Sequence, residues 1–201
     1  RDQWHTMTRT GRVPRLCSHV AEPFVAVNPA DAEAAGLEDG GLALVRSARG
    51  RAILRVRVTG DQPPGRLFAP MHWNRQFSAE GAVNALVAPV TDPVSGQPEL
   101  KHTAVSLAPL VPAWTAFLIT REEVRPPEGA EYWSRTKAAG CSVLILAGTV
   151  APADVTAWAE ALLPPLPGID YHDVRRGVHR WARLDGDRLD ACLFLSFGPA
   201  L

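Results

Sequence analysis

The sequence predicts a two-part protein, with a mainly β unit of the barrel or sandwich type followed by a small α/β unit. Short apolar segments separated by Gly, Pro and Ser turns dominate residues 24–108. Pro109 and Pro112 then indicate an extended connector, because a residue that precedes proline disfavours helix. Beyond the connector, strand-like and helix-like segments alternate. We therefore expect one domain over residues 1–112 and another over residues 113–201.

In the first part, residues 24–27 predict a short strand, and a helix should follow it. Asn28 is suited to the N-cap and Pro29 to the first helical position, while Gly36 is suited to the end. Residues 42–46 and 52–58 flank a polar turn and predict a β-hairpin. Further strands are expected at residues 67–71 and 104–108, with a Pro-Pro loop at residues 60–65.

In the second part, the pattern predicts strand, helix, strand, helix and hairpin. We expect strands at residues 113–120 and 141–147 and helices at residues 131–139 and 152–163. The hairpin should join residues 178–184 and 189–197 around Asp-Gly-Asp. The helices should lie on one face of a mainly antiparallel sheet. The segment 141–147 is apolar on both faces, so it should be central, and the segment 189–197 should lie nearer an edge.

Composition excludes several classes of function. The 201 residues include 21 Lys and Arg and 21 Asp and Glu, so no net charge attracts nucleic acid or an anionic membrane. The longest apolar run is far shorter than a membrane span, and no signal peptide is visible, which favours the cytoplasm. The three cysteines are isolated from one another, so we expect reduced thiols and no metal site.

Three segments carry a resemblance to a known family. They are RDQWHTMTRTGR at residues 1–12, FAPMHWN at 68–74 followed by VNAL at 83–86, and TDPVSGQPELK at 91–101. Together, in this order and spacing, they resemble the molybdopterin-dinucleotide-binding C-terminal domain of the dimethyl-sulfoxide-reductase family of molybdenum oxidoreductases. The middle segment is most similar to the assimilatory nitrate reductases of that family.

The resemblance implies a double-psi β-barrel for residues 1–112, which binds bis(molybdopterin guanine dinucleotide) from one side. A small α/β (α+β sandwich) extension follows it. The resemblance also implies a set of cofactor-binding residues: Arg1, Trp4, His5, Thr6, Thr8, Thr10, His72, Asn84 and Lys101.

The residue types suit such a ligand. A pyranopterin guanine dinucleotide carries a pyrophosphate and two heterocycles, which need cations, hydroxyls, backbone N–H groups and amides as partners. Asn84 offers both a donor and an acceptor, and Lys101 offers one charge-assisted hydrogen bond. No catalytic residue and no metal ligand is expected in this chain.

Other interpretations of individual residues stay open. Trp4, Trp73 and Phe68 could be core aromatics. Asp92 with Pro93 is typical of a turn. The series Arg49, Arg51, Arg55 and Arg57 indicates a solvated hairpin face, with a phosphate-facing patch as the alternative. His19, His102, His172 and His179 have no partner at ligand spacing, so we expect them to be exposed or satisfied.

The function implied is reduction of nitrate to nitrite by a longer parent enzyme, at molybdenum held by the cofactor. The fragment alone is not expected to be active, because the metal ligand and iron-sulfur cysteines of this family lie upstream. Its partners would be those upstream domains and an electron-donor protein. A molybdenum formate dehydrogenase is the nearest alternative, and a non-enzymatic double-psi-barrel interaction module is a second one.

Overall fold

The computed structural model describes residues 7–17 and 20–198, and their contacts form two compact units. The first unit contains Met7 and residues 22–111. The second unit contains the described residues of 8–21 and of 112–201. The grouping differs from the predicted continuous first domain, because residues 8–21 group with the second unit.

The first unit is built on a four-stranded sheet. Two one-turn helices, α1 (Met7–Thr10) and α2 (Pro14–Cys17), precede it in the chain. The elements of the unit are β1 (Phe24–Val27), α3 (Pro29–Ala34), β2 (Leu42–Arg46), β3 (Arg51–Val58), a 3-10 turn (Val83–Leu86) and β4 (Ser106–Leu110). The strand order is β1-β3-β2-β4, with β1 parallel to β3 and the other neighbours antiparallel.

Local rules explain the start of this unit. The Asn28 side chain accepts a hydrogen bond from the Ala30 backbone at 3.0 Å, and Pro29 follows as the first helical residue. Gly36 has a φ of 65°, the left-handed conformation that ends many helices. Ala32 packs on the sheet beside Val27 and Val56, so α3 covers one face of the sheet. The predicted helix and the predicted β2–β3 hairpin are confirmed.

Two expected strands of the first unit differ in extent. Ser106–Leu110 forms β4, close to the predicted segment 104–108. Residues 67–71 were expected to form a strand, but they contribute only an isolated antiparallel bridge between Phe68 and Ala26. Proline at position 70 cannot donate to a ladder, which explains why the pairing does not extend.

The second unit is built on a six-stranded antiparallel sheet. Its elements are β5 (Trp114–Thr120), β6 (Tyr132–Ala138), β7 (Cys141–Gly148), α4 (Val155–Glu160), β8 (Gly168–Asp173), β9 (Val178–Asp185) and β10 (Arg188–Phe197). The strand order is β6-β7-β5-β10-β9-β8. The predicted antiparallel sheet and terminal hairpin are confirmed, with Gly186 at a φ of 64° in the hairpin turn.

One core holds this sheet together. The buried residues come from β5, β7 and β10 and from α4 and the turn after it, and they include Trp114, Leu118, Leu146, Leu193, Ala159 and Leu162. The Asp154 side chain caps α4 by accepting from the Ala157 backbone at 2.9 Å. The Trp114 indole donates to the Val150 carbonyl at 2.8 Å and packs edge-on against Trp158.

Several expectations for this unit are wrong. Residues 131–139 form strand β6 and not a helix, because Tyr132 and Trp133 pair with β7 and Tyr132 is buried there. The unit therefore contains one short helix and is less helical than an α/β sandwich. Strand β7 buries mainly one face, next to the edge strand β6, and β10 lies inside the sheet between β5 and β9. The exposed strand β8 was not predicted.

The described residues of the segment 8–21 join the second unit through β6. Helix α2 packs against this strand, and the Ser134 hydroxyl donates to the Ala21 carbonyl at 3.0 Å. Ser134 is buried, so this hydrogen bond fixes the segment firmly. Among the described residues, no helix has the length and hydropathy needed to cross a bilayer.

Two histidines that are seven residues apart meet on neighbouring strands. His172 of β8 and His179 of β9 are directly paired in register, with Nδ1 atoms 3.0 Å apart. His179 is 9% exposed and stacks on Trp181. Burial, and then the neighbouring His172, lower the pKa of His179 from its ordinary value of 6.5. The pair agrees with the expectation that these histidines are exposed or satisfied, although their spacing along the chain did not indicate the contact.

We predict that the second unit loses stability as the pH falls below 6.5, the ordinary pKa of histidine. Since the folded pKa of His179 is depressed, the unfolded chain binds the proton more readily, so the stabilisation is present above the unfolded pKa and decreases below it. Urea unfolding at pH 7.5 and at pH 5.5 should show a smaller decrease for His179→Gln than for the wild type.

The exposed His102, which belongs to the first unit, supplies the control. The variant His102→Gln should keep the wild-type difference between the two pH values. An unchanged difference in His179→Gln would contradict the prediction.

Candidate functional site

A large groove in the first unit is the candidate site. Its volume is about 1270 Å³, which exceeds the roughly 300–1,000 Å³ of pockets for drug-sized ligands. The sheet and α3 supply an apolar floor that includes Val25, Val45 and Leu54. The walls come from three irregular segments at residues 62–72, 83–87 and 100–107. A ligand with several chemical parts could extend along such a groove.

The wall at residues 62–72 is held to α3 by side-chain hydrogen bonds. The Asn28 Nδ2 donates to the Gln62 carbonyl at 2.7 Å, and the Gly65 backbone donates to Asp31 Oδ2 at 2.7 Å. Gly65 has a φ of 74°, which a residue with a Cβ rarely adopts. The loop therefore has a fixed path along the groove.

The same wall continues as an extended strand-like segment. The Ala26 N–H donates to the Phe68 carbonyl at 2.7 Å, and the Phe68 N–H donates back to Ala26 at 3.2 Å. The His72 carbonyl accepts from the Met7 backbone at 3.3 Å. Trp73 is buried and belongs to the core, as one interpretation expected, whereas Phe68 is 41% exposed and lines the groove.

The second wall is the 3-10 turn Val83–Leu86, which carries the exposed Asn84. Leu86 anchors this turn in the core of the unit. Gly50 lies directly beneath it, because a Cβ at this position would come within 2.5 Å of the Ala85 carbonyl. The absence of a side chain at position 50 therefore sets how closely the Asn84 turn approaches the sheet.

The third wall carries Lys101 and His102 and follows a compact turn. Asp92 accepts hydrogen bonds from the Val94 and Ser95 backbones and from the Ser95 hydroxyl, and the bonds from Ser95 are the main reason that its pKa is lowered. The Glu99 N–H donates to the Val90 carbonyl at 3.0 Å and closes the segment. Asp92 is thus a turn former, as its sequence context indicates.

His102 has the left-handed backbone conformation, with a φ of 63°. This conformation costs about 1–2 kcal/mol for an L residue, and histidine is one of the residues found there more often than most. It turns the chain between Lys101 and the start of β4. Both side chains line the groove.

The groove has a positive charge balance. Of the described residues that line it, Arg66 and Lys101 are cations and Asp31 is the carboxylate, and Asp31 already accepts from Gly65. Within the described part of the chain, neither Arg66 nor Lys101 has a side-chain hydrogen bond or ion pair. Two cations without partners, in a groove that also holds imidazole and amide groups, favour an anionic ligand with heterocycles.

The arginines of the β2–β3 hairpin contrast with these cations. Arg51 pairs with Glu80 at 2.7 Å, and Arg55 pairs with Glu22 at 2.5 Å. The Arg57 guanidinium lies 3.8 Å from the centre of the Phe24 ring. These three arginines therefore have partners within the protein. This favours the interpretation of the series as a solvated hairpin face over a phosphate-binding patch.

The predicted site residues are distributed unevenly. The groove brings together His72, Asn84 and Lys101. Thr8 is exposed and Thr10 is buried, and both belong to the second unit and do not line the groove. Arg1, Trp4, His5 and Thr6 lie outside the described residues. Binding of a cofactor by these nine residues stays a prediction.

Sequence reasoning missed Arg66, Gln62 and His102. A usable signal was present for Arg66, because a cation that follows Pro63, Pro64 and Gly65 sits on a stiff loop.

No group of three or more His, Cys, Asp or Glu side chains within residues 7–17 and 20–198 is arranged to hold a metal ion.

We predict that Gly50→Ala displaces the Asn84 turn and destabilises the first unit. The added methyl group would meet the Ala85 carbonyl, and overpacking of this kind costs about 1–3 kcal/mol. Thermal unfolding should show the loss, and backbone NMR shifts should change at residues 83–87. Gly60→Ala is the matched control, because a Cβ at Gly60 meets nothing within 4 Å. Equal stability of the two variants would refute the proposed contact.

Comparison with known proteins agrees with the chemistry of the groove. Residues 1–104, about half of the chain, match the family model described as "Molydopterin dinucleotide binding domain". The nitrate reductase of Klebsiella oxytoca is 50% identical over 161 residues, which are 80% of this chain and 18% of that protein. The nitrate reductase of Shewanella frigidimarina is 32% identical over 129 residues, or 55% of this chain and 14% of that protein.

Two further similarities are more distant. The F420-dependent formate dehydrogenase subunit alpha of Methanocaldococcus jannaschii is 36% identical over 104 residues, or 52% of this chain and 15% of that protein. The solved structure of acetylene hydratase from Pelobacter acetylenicus matches 46% of this chain and 15% of its own, at 22% identity and a TM-score of 0.41. The chain thus spans less than a fifth of the length of each curated relative compared here. By the match of the family model to half of its length, this chain belongs to the molybdopterin-dinucleotide-binding domain family.

Proposed function

We propose that the chain is the cofactor-binding C-terminal part of an assimilatory nitrate reductase and binds bis(molybdopterin guanine dinucleotide) in the groove of the first unit. The observation that carries the proposal is the pair of unpartnered cations, Arg66 and Lys101, in a groove of about 1270 Å³. The 50% identity to the Klebsiella oxytoca nitrate reductase supports the choice of nitrate.

The residues of the groove fit this ligand. The pyrophosphate needs cations and N–H donors, which Arg66 and Lys101 can supply. The heterocycles need amide and imidazole partners, and Asn84, His72 and Gln62 offer them. Where the cofactor binds, its dithiolene-held molybdenum supplies the two-electron chemistry that reduces nitrate to nitrite. The residues of this chain bind and orient the cofactor from one side and set its electrostatic surroundings.

The proposal includes a particular fold and setting. We propose that the first unit is one side of a double-psi β-barrel, because the mixed parallel and antiparallel pairing of β1 to β4 suits such a barrel. The predicted cofactor contacts of Arg1, Trp4, His5 and Thr6 belong to the same proposal. We propose a cytoplasmic setting, which the three cysteines without disulfides favour.

Two alternatives give weaker accounts. A molybdenum formate dehydrogenase is favoured by the 36% identity to the Methanocaldococcus jannaschii protein, which is lower than the identity to the Klebsiella oxytoca enzyme. If the chain were a non-enzymatic interaction module, the two unpartnered cations of the groove would have no explanation. Substrate assays of the full-length protein with nitrate and with formate separate the first alternative.

We predict that Asn84→Ala and Lys101→Ala each lower the cofactor content of the full-length protein. Each removes one polar or charge-assisted contact, and such a loss weakens binding about tenfold. Molybdenum per protein, measured by mass spectrometry, should fall while the thermal unfolding midpoint stays unchanged, because both side chains are exposed. Arg49→Ala is the control, since Arg49 is exposed and does not line the groove. Wild-type molybdenum content in both variants would reject the site.

We further propose that the second unit docks an electron-donor protein, or scaffolds a redox domain that follows it. The unit presents no metal-binding cluster within its described residues, so its role would be an interaction. The upstream domains of the parent would be the other partners of the chain.

We predict that deletion from Trp114 onward impairs reduction by the physiological donor and spares reduction by a small artificial dye. The dye reaches the metal without a docking surface, so it reports whether the centre itself is intact. Steady-state rates with the two donors provide the measurement. Equal loss with both donors would mean that the second unit only supports the fold.

A further inference from the structure

The histidine pair of the second unit has the geometry of two neighbouring ligands of one metal ion. His172 of β8 and His179 of β9 are directly paired in register, and their Nδ1 atoms lie 3.0 Å apart. We propose that this pair binds a divalent transition-metal ion of the kind that prefers imidazole, with one bond from each Nδ1 atom. The ion would connect the edge strand β8 to the rest of the sheet.

The separation of the two nitrogens indicates which ions fit best. Transition-metal ions bind imidazole nitrogen at about 2.0–2.1 Å. Two such bonds at a right angle place the nitrogens about 2.9 Å apart, whereas the tetrahedral angle of zinc places them about 3.3 Å apart. The observed distance of 3.0 Å is nearer the right angle of square-planar or tetragonal sites. Cu²⁺ and Ni²⁺ adopt this coordination, so the pair suits them better than it suits Zn²⁺.

Aromatic contacts orient both imidazole rings. His179 stacks on Trp181, with ring centres 5.9 Å apart and planes inclined by 16°. It also makes a T-shaped contact with Phe197 at 5.8 Å. His172 makes a T-shaped contact with the same Trp181 at 5.3 Å. The strand pairing and these contacts place the two ligands before an ion arrives, so little conformational entropy is lost on binding.

The buried imidazole of the pair has the protonation state that a metal needs. Burial, and then the neighbouring His172, lower the pKa of His179, so this ring is neutral at pH 7. In the hydrogen-bonded pair one Nδ1 donates its proton to the other. An ion can bind both Nδ1 atoms once the donating ring carries that proton on Nε2 instead. The exposed His172 gives the ion access from solvent.

The protein would supply two ligands, and water the remaining ones. Asp170 and Asp173 of β8 are ion-paired with Arg183 and Arg176. Within the residues that the structure describes, no third His, Cys, Asp or Glu completes a metal-binding group. Binding should therefore be reversible. It would stabilise the attachment of β8, which is paired only with β9 in the described sheet.

The test uses the full 201-residue chain, stripped of metal by a chelator, with NiCl₂ as the probe in calorimetric titrations. Ni²⁺ is preferred to Cu²⁺ because the chain contains free thiols, which copper can oxidise. His172→Gln and His179→Gln should each weaken Ni²⁺ binding about tenfold or more, because a single imidazole remains. His102→Gln is the matched control and should bind Ni²⁺ as the wild type does.

The second readout is the stability of the second unit. Ni²⁺ should raise its thermal unfolding midpoint and slow hydrogen exchange of the β8 amides in the wild type and in His102→Gln, because the ion binds the folded pair. It should change neither quantity in the two pair variants. Mg²⁺, which prefers oxygen ligands, should have no effect on any of the proteins.

The exposed His172 provides the decisive variant, because its replacement leaves the core of the unit intact. Wild-type affinity for Ni²⁺ in His172→Gln would overturn the site, since the ion would then be bound elsewhere. Ni²⁺ binding that leaves the unfolding midpoint and the β8 exchange of the wild type unchanged would overturn it as well.

Discussion

The groove depends most on the hydrogen bonds of the Asn28 side chain, because its amide oxygen and its amide nitrogen bind different segments. Its oxygen caps α3 by accepting a hydrogen bond from the Ala30 backbone. Its nitrogen donates to the carbonyl of Gln62 in the groove wall. One planar amide therefore fixes both the first turn of the helix and the path of the wall. Asp31, in the first turn of α3, adds a second connection to the wall by accepting a hydrogen bond from the Gly65 backbone. Helix and wall are thus ordered together.

Much of the fold could be predicted because local chemistry determines it. The α3 cap, the Gly36 end and the two hairpins depend on residues that are neighbours in sequence. Strand β6 could not be predicted in this way, since its Arg, Lys and Ala residues suit a helix and its pairing partner β7 decides the outcome. The contact between His172 and His179 likewise exists only after β8 joins the sheet.

The candidate site shows the same division. The resemblance to a known family identified His72, Asn84 and Lys101, which the fold brings into one groove. Arg66 was missed although it follows Pro63, Pro64 and Gly65, because only the tertiary structure shows that it lacks the carboxylate partners that Arg51 and Arg55 have. Such distinctions depend on tertiary partners. A protein with no net charge can thus present a local positive field where it leaves two cations unpaired.

Strand β8 has a consequence for solubility. It lies at the edge of the six-stranded sheet, with one side of its backbone unpaired within the described part of the sheet, and it carries the exposed apolar residues Ile169 and Tyr171. Such an edge invites the addition of strands from other molecules. Asp170 lies between the two apolar residues and Asp173 ends the strand, and each is ion-paired with an arginine, Arg183 and Arg176 respectively. Charged side chains on an edge strand hinder the addition of a further strand, so these ion pairs act against self-association of the sheet.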